Sequence, residues 1–307
     1  MGRSEKIKGK NKNIRRVVAF CILGLCFIFM VFPPRKPLFE DPLSTAVFDA
    51  QGSLLGARIA ADGQWRFDPS DSLPQKYLTS LLAFEDRHFY QHPGVNPLAI
   101  GRALMQNIRE KSIVSGGSTI TMQVIRLSRK DKARTLWQKL IEMTLAIRLE
   151  LHTKKAEVLN LYTAHAPYGG NVVGIEAAAW RYFGRSPHQL SWAEAACLAV
   201  LPNAPALIHP NRNRQALKEK RDRLLRTLLA DGNINQMDYL LAVEEALPAK
   251  PLPLPNRAEH LVDWFHKEQR SKVLTQVNPW FQNAAREVLA NHNRKLKGNQ
   301  IHNLAAL

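Results

Sequence analysis

The sequence predicts a mainly α-helical protein with a small N-terminal β-type segment and an apolar N-terminal helix that spans a membrane. Three observations predict it. From Ser70 to Ala230, apolar residues recur at helical spacing in one segment after another. Ala46 to Phe67 instead shows short β-type runs broken by Gly52 and Gly63. Val17 to Phe32 reads VVAFCILGLCFIFMVF, sixteen residues without a charge.

That apolar run is slightly short for a span, which needs about 17–25 residues. Ile14 before it and Pro33–Pro34 after it lengthen the neutral stretch a little. A cleaved signal peptide and an uncleaved anchor compete. No small-residue cleavage site follows, and Phe27, Phe29, Met30 and Phe32 crowd the exit. The anchor is the expectation. The residues before it are basic, which puts the N-terminus in the cytoplasm and everything after residue 33 across the membrane.

The expected order is a basic tail over 1–16, the anchor over 17–32, a connector over 33–45 and a main domain over 46–235. Within that domain, helices are predicted over 73–89, 97–110, 118–129, 135–151, 154–163, 175–183, 191–201 and 214–230. Asp71 or Ser72 is available to cap the first of them, with Pro74 in its first turn. Leu247 to Asn256 holds four prolines and cannot be helical. Residues 236–307 read as this Pro-rich linker and the cut-off start of a further region, with one more helical pattern between Val273 and Asn293.

The chain has 307 residues, 45% of them hydrophobic, enough for a sizeable core. Its net charge is +17, of which the first sixteen residues supply +6. The basic remainder suits nucleic acid, an anionic membrane surface or a phosphorylated substrate. Three cysteines without metal-ligand spacing suggest no disulfide framework and no zinc site.

Several segments could carry chemistry. Glu85–Asp86–Arg87 follows the apolar run Leu81 to Phe84, so Glu85 reads either as a desolvated general base or as a helix-end ion pair with Arg87. His88 and His92 are four apart, but the Pro93–Gly94 break and the lack of further ligands favour a structural turn. Gly116-Gly117-Ser118-Thr119 opens a helix and is either a phosphate cradle or an ordinary cap. Arg126, Arg129, Lys130, Lys132, Arg134 and Lys139 follow it closely. Lys139 and Glu142 share one helix face, as a surface ion pair or as a carboxylate and cation beside a departing diphosphate.

The order of these pieces resembles a known family. Glu85-Asp86-Arg87-His88-Phe89-Tyr90-Gln91-His92-Pro93-Gly94 is similar to the first motif of the peptidoglycan glycosyltransferase domain of class A penicillin-binding proteins. Gly117-Ser118-Thr119-Ile120-Thr121-Met122-Gln123 resembles the second, Gln138-Lys139-Leu140-Ile141-Glu142 the third, and Lys155 to Tyr162 the fourth. The resemblance covers roughly residues 46 to 235, and the wording of Ala46 to Phe67 is most similar to the penicillin-binding protein 1C branch. Met122, Gln138, Asn160 and Ala164 depart from the family's pattern.

The resemblance implies a lysozyme-like helical fold and polymerisation of lipid II into glycan strands, inverting at the anomeric carbon. It implies Glu85 as the base and Glu142 as the second catalytic carboxylate. Asp86, Arg87, Ser118, Thr119, Gln123, Arg126, Lys139 and Lys155 would bind substrate and diphosphate. It admits a divalent cation, Mg or Mn, at Glu142, and no organic cofactor. The implied partners are lipid II, the growing strand and other cell-wall synthesis proteins, with no nucleic acid. The implied location is the bacterial inner membrane, with the catalytic domain periplasmic. The chain has no S-x-x-K and no K-T/S-G element, so no transpeptidase activity is expected of it. Two rivals stand beside this reading. One is an inactive lipid II-binding relative, which the four departures motivate. The other is a lysozyme-like hydrolase, which is also a two-carboxylate enzyme.

Overall fold

The computed structural model describes residues 24, 29–70, 72–110, 117–130, 135–203 and 213–301. Three short strands come first: β1 (Thr45–Phe48), β2 (Leu54–Arg58) and β3 (Trp65–Arg66). Helices α1 (Gln75–Glu85), α2 (Pro97–Arg109), α3 (Ile120–Ser128), α4 (Leu136–His152) and α5 (Lys155–His165) follow. After β4 (Val172–Val173) come α6 (Ile175–Phe183), α7 (Trp192–Val200), α8 (Arg214–Ala230), α9 (Gln236–Glu244) and α10 (Glu259–Lys267). Strand β5 (Lys272–Leu274) and α11 (Pro279–Leu296) complete the described elements.

The mainly helical fold with a small β-type segment is as expected. Among the described residues no helix is long and apolar enough to cross a membrane. The expected anchor over 17–32 lies largely outside those residues. The first predicted helix is shorter than its periodicity suggests. It starts after Pro74, which makes no side-chain cap, and it ends where Asp86 turns to φ −157°. Phe89–Gln91 then forms a separate 3-10 turn. Of the two expected caps, Ser72 Oγ instead faces His188 Nε2 at 3.5 Å, and Asp71 lies outside the described residues. Helices α9 and α10 have no counterpart among the helices that the periodicity predicts. The helical pattern after Val273 resolves into a strand and a helix, because Asn278 caps and Pro279 occupies the first turn of α11.

The chain packs as two units, Phe89–Val158 with the residues up to Glu40, and Asp41–His88 with those from Leu159 on. In the second, β1 pairs antiparallel with β2 and parallel with β5. The turn between β1 and β2 is tied by Asp49 Oδ1, which accepts from the Gln51 and Ser53 amides at 2.8 Å each. Val47 and Leu55 are fully buried on this sheet with Val262 of α10. The helical core centres on α7, where eight consecutive residues from Ala193 to Val200 are buried. A helix apolar on all sides must lie inside, and α1 and α8 pack against it. Its start is fixed by a capping box between Ser191 and Glu194. Cys197 on α7 is 1% exposed, and burial pushes its thiol up to about 12. Arg221 of α8, also 1% exposed, donates to the carbonyls of Val243 and Glu245 at the end of α9. In the first unit, α3 packs against α4.

Candidate active site

Helix α3 begins after Ser118 because Thr119 caps it. Thr119 Oγ1 accepts from the Met122 amide at 3.2 Å and donates to the Gly94 carbonyl at 2.6 Å. One bond makes the helix start, and the other ties that start to the Phe89–Gly94 turn. The turn comes close to α4: Gly94 has φ +88°, and an added Cβ would lie 2.5 Å from the Ala146 carbonyl oxygen. Glycine is needed here for both conformation and space.

From the last turn of α3, Arg126 reaches across to Glu142 of α4. Its Nε lies 3.2 and 3.3 Å from the two carboxylate oxygens, and its Nη2 lies 3.2 Å from Oε2. The same Nη2 lies 3.4 Å from Ser118 Oγ. Glu142 is buried and Arg126 is partly exposed. The result is a forked, charge-assisted pair beside a helix N-terminus. Lys139, one turn before Glu142 on α4, and Gln123 on α3 are each partly buried in the same unit.

The other expected residues divide between fold and site. Thr119 and Lys155 spend their polar atoms inside the protein. Lys155 Nζ lies 2.6 Å from Glu150 Oε2, donates to the His92 carbonyl at 2.7 Å and stands 4.2 Å from the Phe89 ring centre. Glu85, Asp86 and Arg87 belong to the second unit. Glu85 ends α1 with its Oε1 shielded from solvent. Its charge helps to raise the Tyr77 phenol, after the larger effect of burial. Asp86 is the buried C-cap of α1, and exposed Arg87 pairs with Asp231 at 2.8 Å.

The four departures also fall into place. Met122 is 0% exposed, a core residue on the inner face of α3. Ala164 is buried and lines a cavity of about 10 Å³ with Thr163, Ser70 and Glu176, at the lower limit for one water. Gln138 has a shielded Oε1 without a hydrogen-bond partner among the described residues. Asn160 is partly buried, and its carbonyl accepts from Thr163 at 3.0 Å.

Two contributors are not evident from sequence. Glu150 is deeply buried between Lys155 and Thr121, whose Oγ1 donates to Glu150 Oε1. Glu176 carries a carboxyl raised by burial, partly offset by a hydrogen bond from Ser70 Oγ. The approach of Thr121 to Glu150 had only a weak signal, two inward positions on facing helices.

A family model described as Transglycosylase matches residues 54–229. Penicillin-binding protein 1C of Escherichia coli (strain K12) is 35% identical over 262 residues, 85% of this chain and 34% of that protein. Penicillin-binding protein 1A of Aquifex aeolicus is 36% identical over 240 residues, 76% of this chain and 33% of its own. A crystal structure of penicillin-binding protein 1A from Haemophilus influenzae aligns with a TM-score of 0.38 and 20% identity, over 78% of this chain and 28% of that one. This chain therefore spans about a third of the length of the curated relatives it matches. The resemblance carried by the four motifs is borne out, and the chain belongs to the transglycosylase family.

Proposed function

We propose that the chain is a peptidoglycan glycosyltransferase that polymerises lipid II into glycan strands and releases undecaprenyl diphosphate. The observation that carries the reading is the Ser118–Arg126–Glu142 constellation at the start of α3. A hydroxyl and a guanidinium in one place suit the developing charge of a departing diphosphate. Lys139 adds a second cation on the same helix as Glu142.

In this reading Glu85 takes the proton of the acceptor 4-hydroxyl. The oxygen attacks the anomeric carbon of the donor from the face opposite the diphosphate. As the new C–O bond forms, the old one breaks and its electron pair leaves on the diphosphate oxygen, so the anomeric centre inverts. Arg126, Lys139 and Ser118 meet the charge that leaves. Glu142 holds the Arg126 fork in place, so that the guanidinium needs no reorganisation during the reaction.

The donor set does not suit Mg or Mn. Hard cations take several oxygen ligands. Both Glu142 oxygens face Arg126, and among the described residues no group of three metal-ligating side chains forms.

Membrane attachment belongs to the same proposal. The apolar run 17–32 supports it. So do exposed apolar side chains in the first unit: Leu98, Met105 and Ile108 on α2, and Leu136, Trp137 and Leu140 on α4. The chain leaving that run is strapped to α4, where Arg148 donates to the carbonyls of Phe32 and Pro33 and stacks on the Phe29 ring. A lipid-tailed substrate needs an enzyme at its membrane. The orientation follows the basic tail, with the helical units on the periplasmic side.

The test is polymerisation of labelled lipid II by the full chain, with Glu85→Gln and Glu142→Gln beside it. Strands from the wild type and none from Glu85→Gln support the reading. No strands from any of them, where a working transglycosylase makes strands, would replace it with a lipid II-binding role. Release of reducing ends from purified cell wall would replace it with hydrolysis.

A further inference from the structure

Two polar rungs join α3 to α4. The outer rung is Arg126–Glu142. The inner rung is Thr121 Oγ1 to Glu150 Oε1. The inner rung continues from Glu150 Oε2 to Lys155 Nζ, the first residue of α5, and from there to the His92 carbonyl. The Glu150 side chain is 5% exposed and Thr121 is 0% exposed.

A cation in the first turn of a helix opposes the helix dipole, so Lys155 sits where its charge is unfavourable without a partner. An ammonium has three N–H donors. Here one meets Glu150, one meets His92, and the Phe89 ring lies 4.2 Å from the nitrogen. This commits Lys155 to the protein on each of its three directions. Both Glu150 oxygens are likewise spoken for, one by Thr121 and one by Lys155.

We propose that Glu150 and Lys155 are positioning residues, which fix α3 and the Phe89–Gly94 turn on α4 so that Arg126 meets Glu142. The inference rests on the transglycosylase reading above. It gives Lys155 a different role from the diphosphate ligand its motif implies. Lys155 acts through Glu150 and Thr121, and it touches no substrate.

The experiment is steady-state polymerisation of labelled lipid II by the full chain, well below its unfolding temperature, with amide exchange measured on the same proteins. The variants are Lys155→Met, Lys155→Arg, Glu150→Gln and the double Glu150→Gln/Lys155→Met. Lys154→Met is the control, since that side chain is exposed. Lys155→Met is expected to lower kcat by about 100-fold, the scale of a misplacement of about 1 Å, with KM unchanged. Lys155→Arg restores most of kcat, and the double variant is no worse than the poorer single one. Amides of Met122 to Ile125 exchange faster in Lys155→Met and not in Lys154→Met.

A raised KM at unchanged kcat would mean that Lys155 contacts substrate, and would overturn the proposal. Wild-type kcat in both Lys155→Met and Glu150→Gln would overturn it too, as would unchanged exchange along α3. If Lys155→Met does not fold, Glu150→Gln, which keeps the shape of the side chain, decides by the same measurements. If the wild type makes no strands, the functional reading fails by itself and the exchange of α3 still decides the clamp.

Discussion

Arg126 lays its guanidinium across both carboxylate oxygens of Glu142, with Nε at 3.2 and 3.3 Å. A fork on a carboxylate holds direction as well as charge. Arg126→Ala would leave a buried carboxylate without that fork. The expected loss of stability is about 1–2 kcal/mol, less than for a fully buried pair because the arginine is partly exposed. Polymerisation should fall by about 100- to 1,000-fold, the scale of losing one oxyanion donor. Arg126→Lys should recover part of the activity. Urea unfolding and the lipid II assay check both.

Gly94→Ala should destabilise the chain more than Gly52→Ala. Both glycines have positive φ, +88° and +79°. Only Gly94 faces backbone, the Ala146 carbonyl, whereas nothing lies within 4 Å of a Cβ at Gly52. The Gly52 change should cost about 1 kcal/mol for conformation alone, and the Gly94 change about 2 kcal/mol or more. Equal unfolding midpoints for the two variants would show that α4 gives way at no cost.

Glu176→Gln should stabilise the chain at high pH. Burial raises the Glu176 carboxyl, with Ser70 opposing the shift. The folded state therefore holds the proton more tightly than the unfolded chain does. Stability from this group is present at low pH and is lost as pH rises through the raised value. The variant should melt above the wild type near pH 8, and the difference should close as pH falls and the wild-type carboxyl takes up its proton. Thermal unfolding across that range is the measurement, and a constant difference at all pH values would count against the assignment.

Trp137 should lie in lipid when the full chain is reconstituted into bilayers. It is 68% exposed on α4, beside Leu136 at 85% and Leu140 at 53%. Brominated lipid should quench wild-type tryptophan emission, and Trp137→Phe should remove most of the quenched fraction. An unchanged quenched fraction would place this face in water.

Much of the helical series was legible because each helix buries a stripe and ends on punctuation. Pattern and structure agree to the residue for Ile175–Phe183 and Arg214–Ala230, which are bounded by Gly174 and Gly184 and by Asn213 and Gly232. Helix α10 was not legible. It is nine residues long and follows a proline-rich stretch, and its Val262 finds its partners in Val47 and Leu55, some two hundred residues earlier. The site was legible as types and order, through Ser118, Arg126 and Glu142. What spacing could not reveal was commitment. Thr119 and Lys155 look like ligands in a motif, yet their polar atoms answer Gly94, Glu150 and His92. Such pairings depend on which helix faces which, and no local pattern encodes that.

Cys197 turns the interior of α7 into a clock. The Cys197 thiol is sealed inside a fully buried helix, and the same burial that pushes it up to about 12 keeps alkylating and disulfide reagents from it while α7 stays packed. With Cys21 and Cys26 replaced by serine, the first covalent tag on the chain would record the moment α7 is laid bare. The rate of tagging at saturating reagent would then equal the rate at which this part of the molecule opens, read without denaturant and without any assay of sugar chemistry.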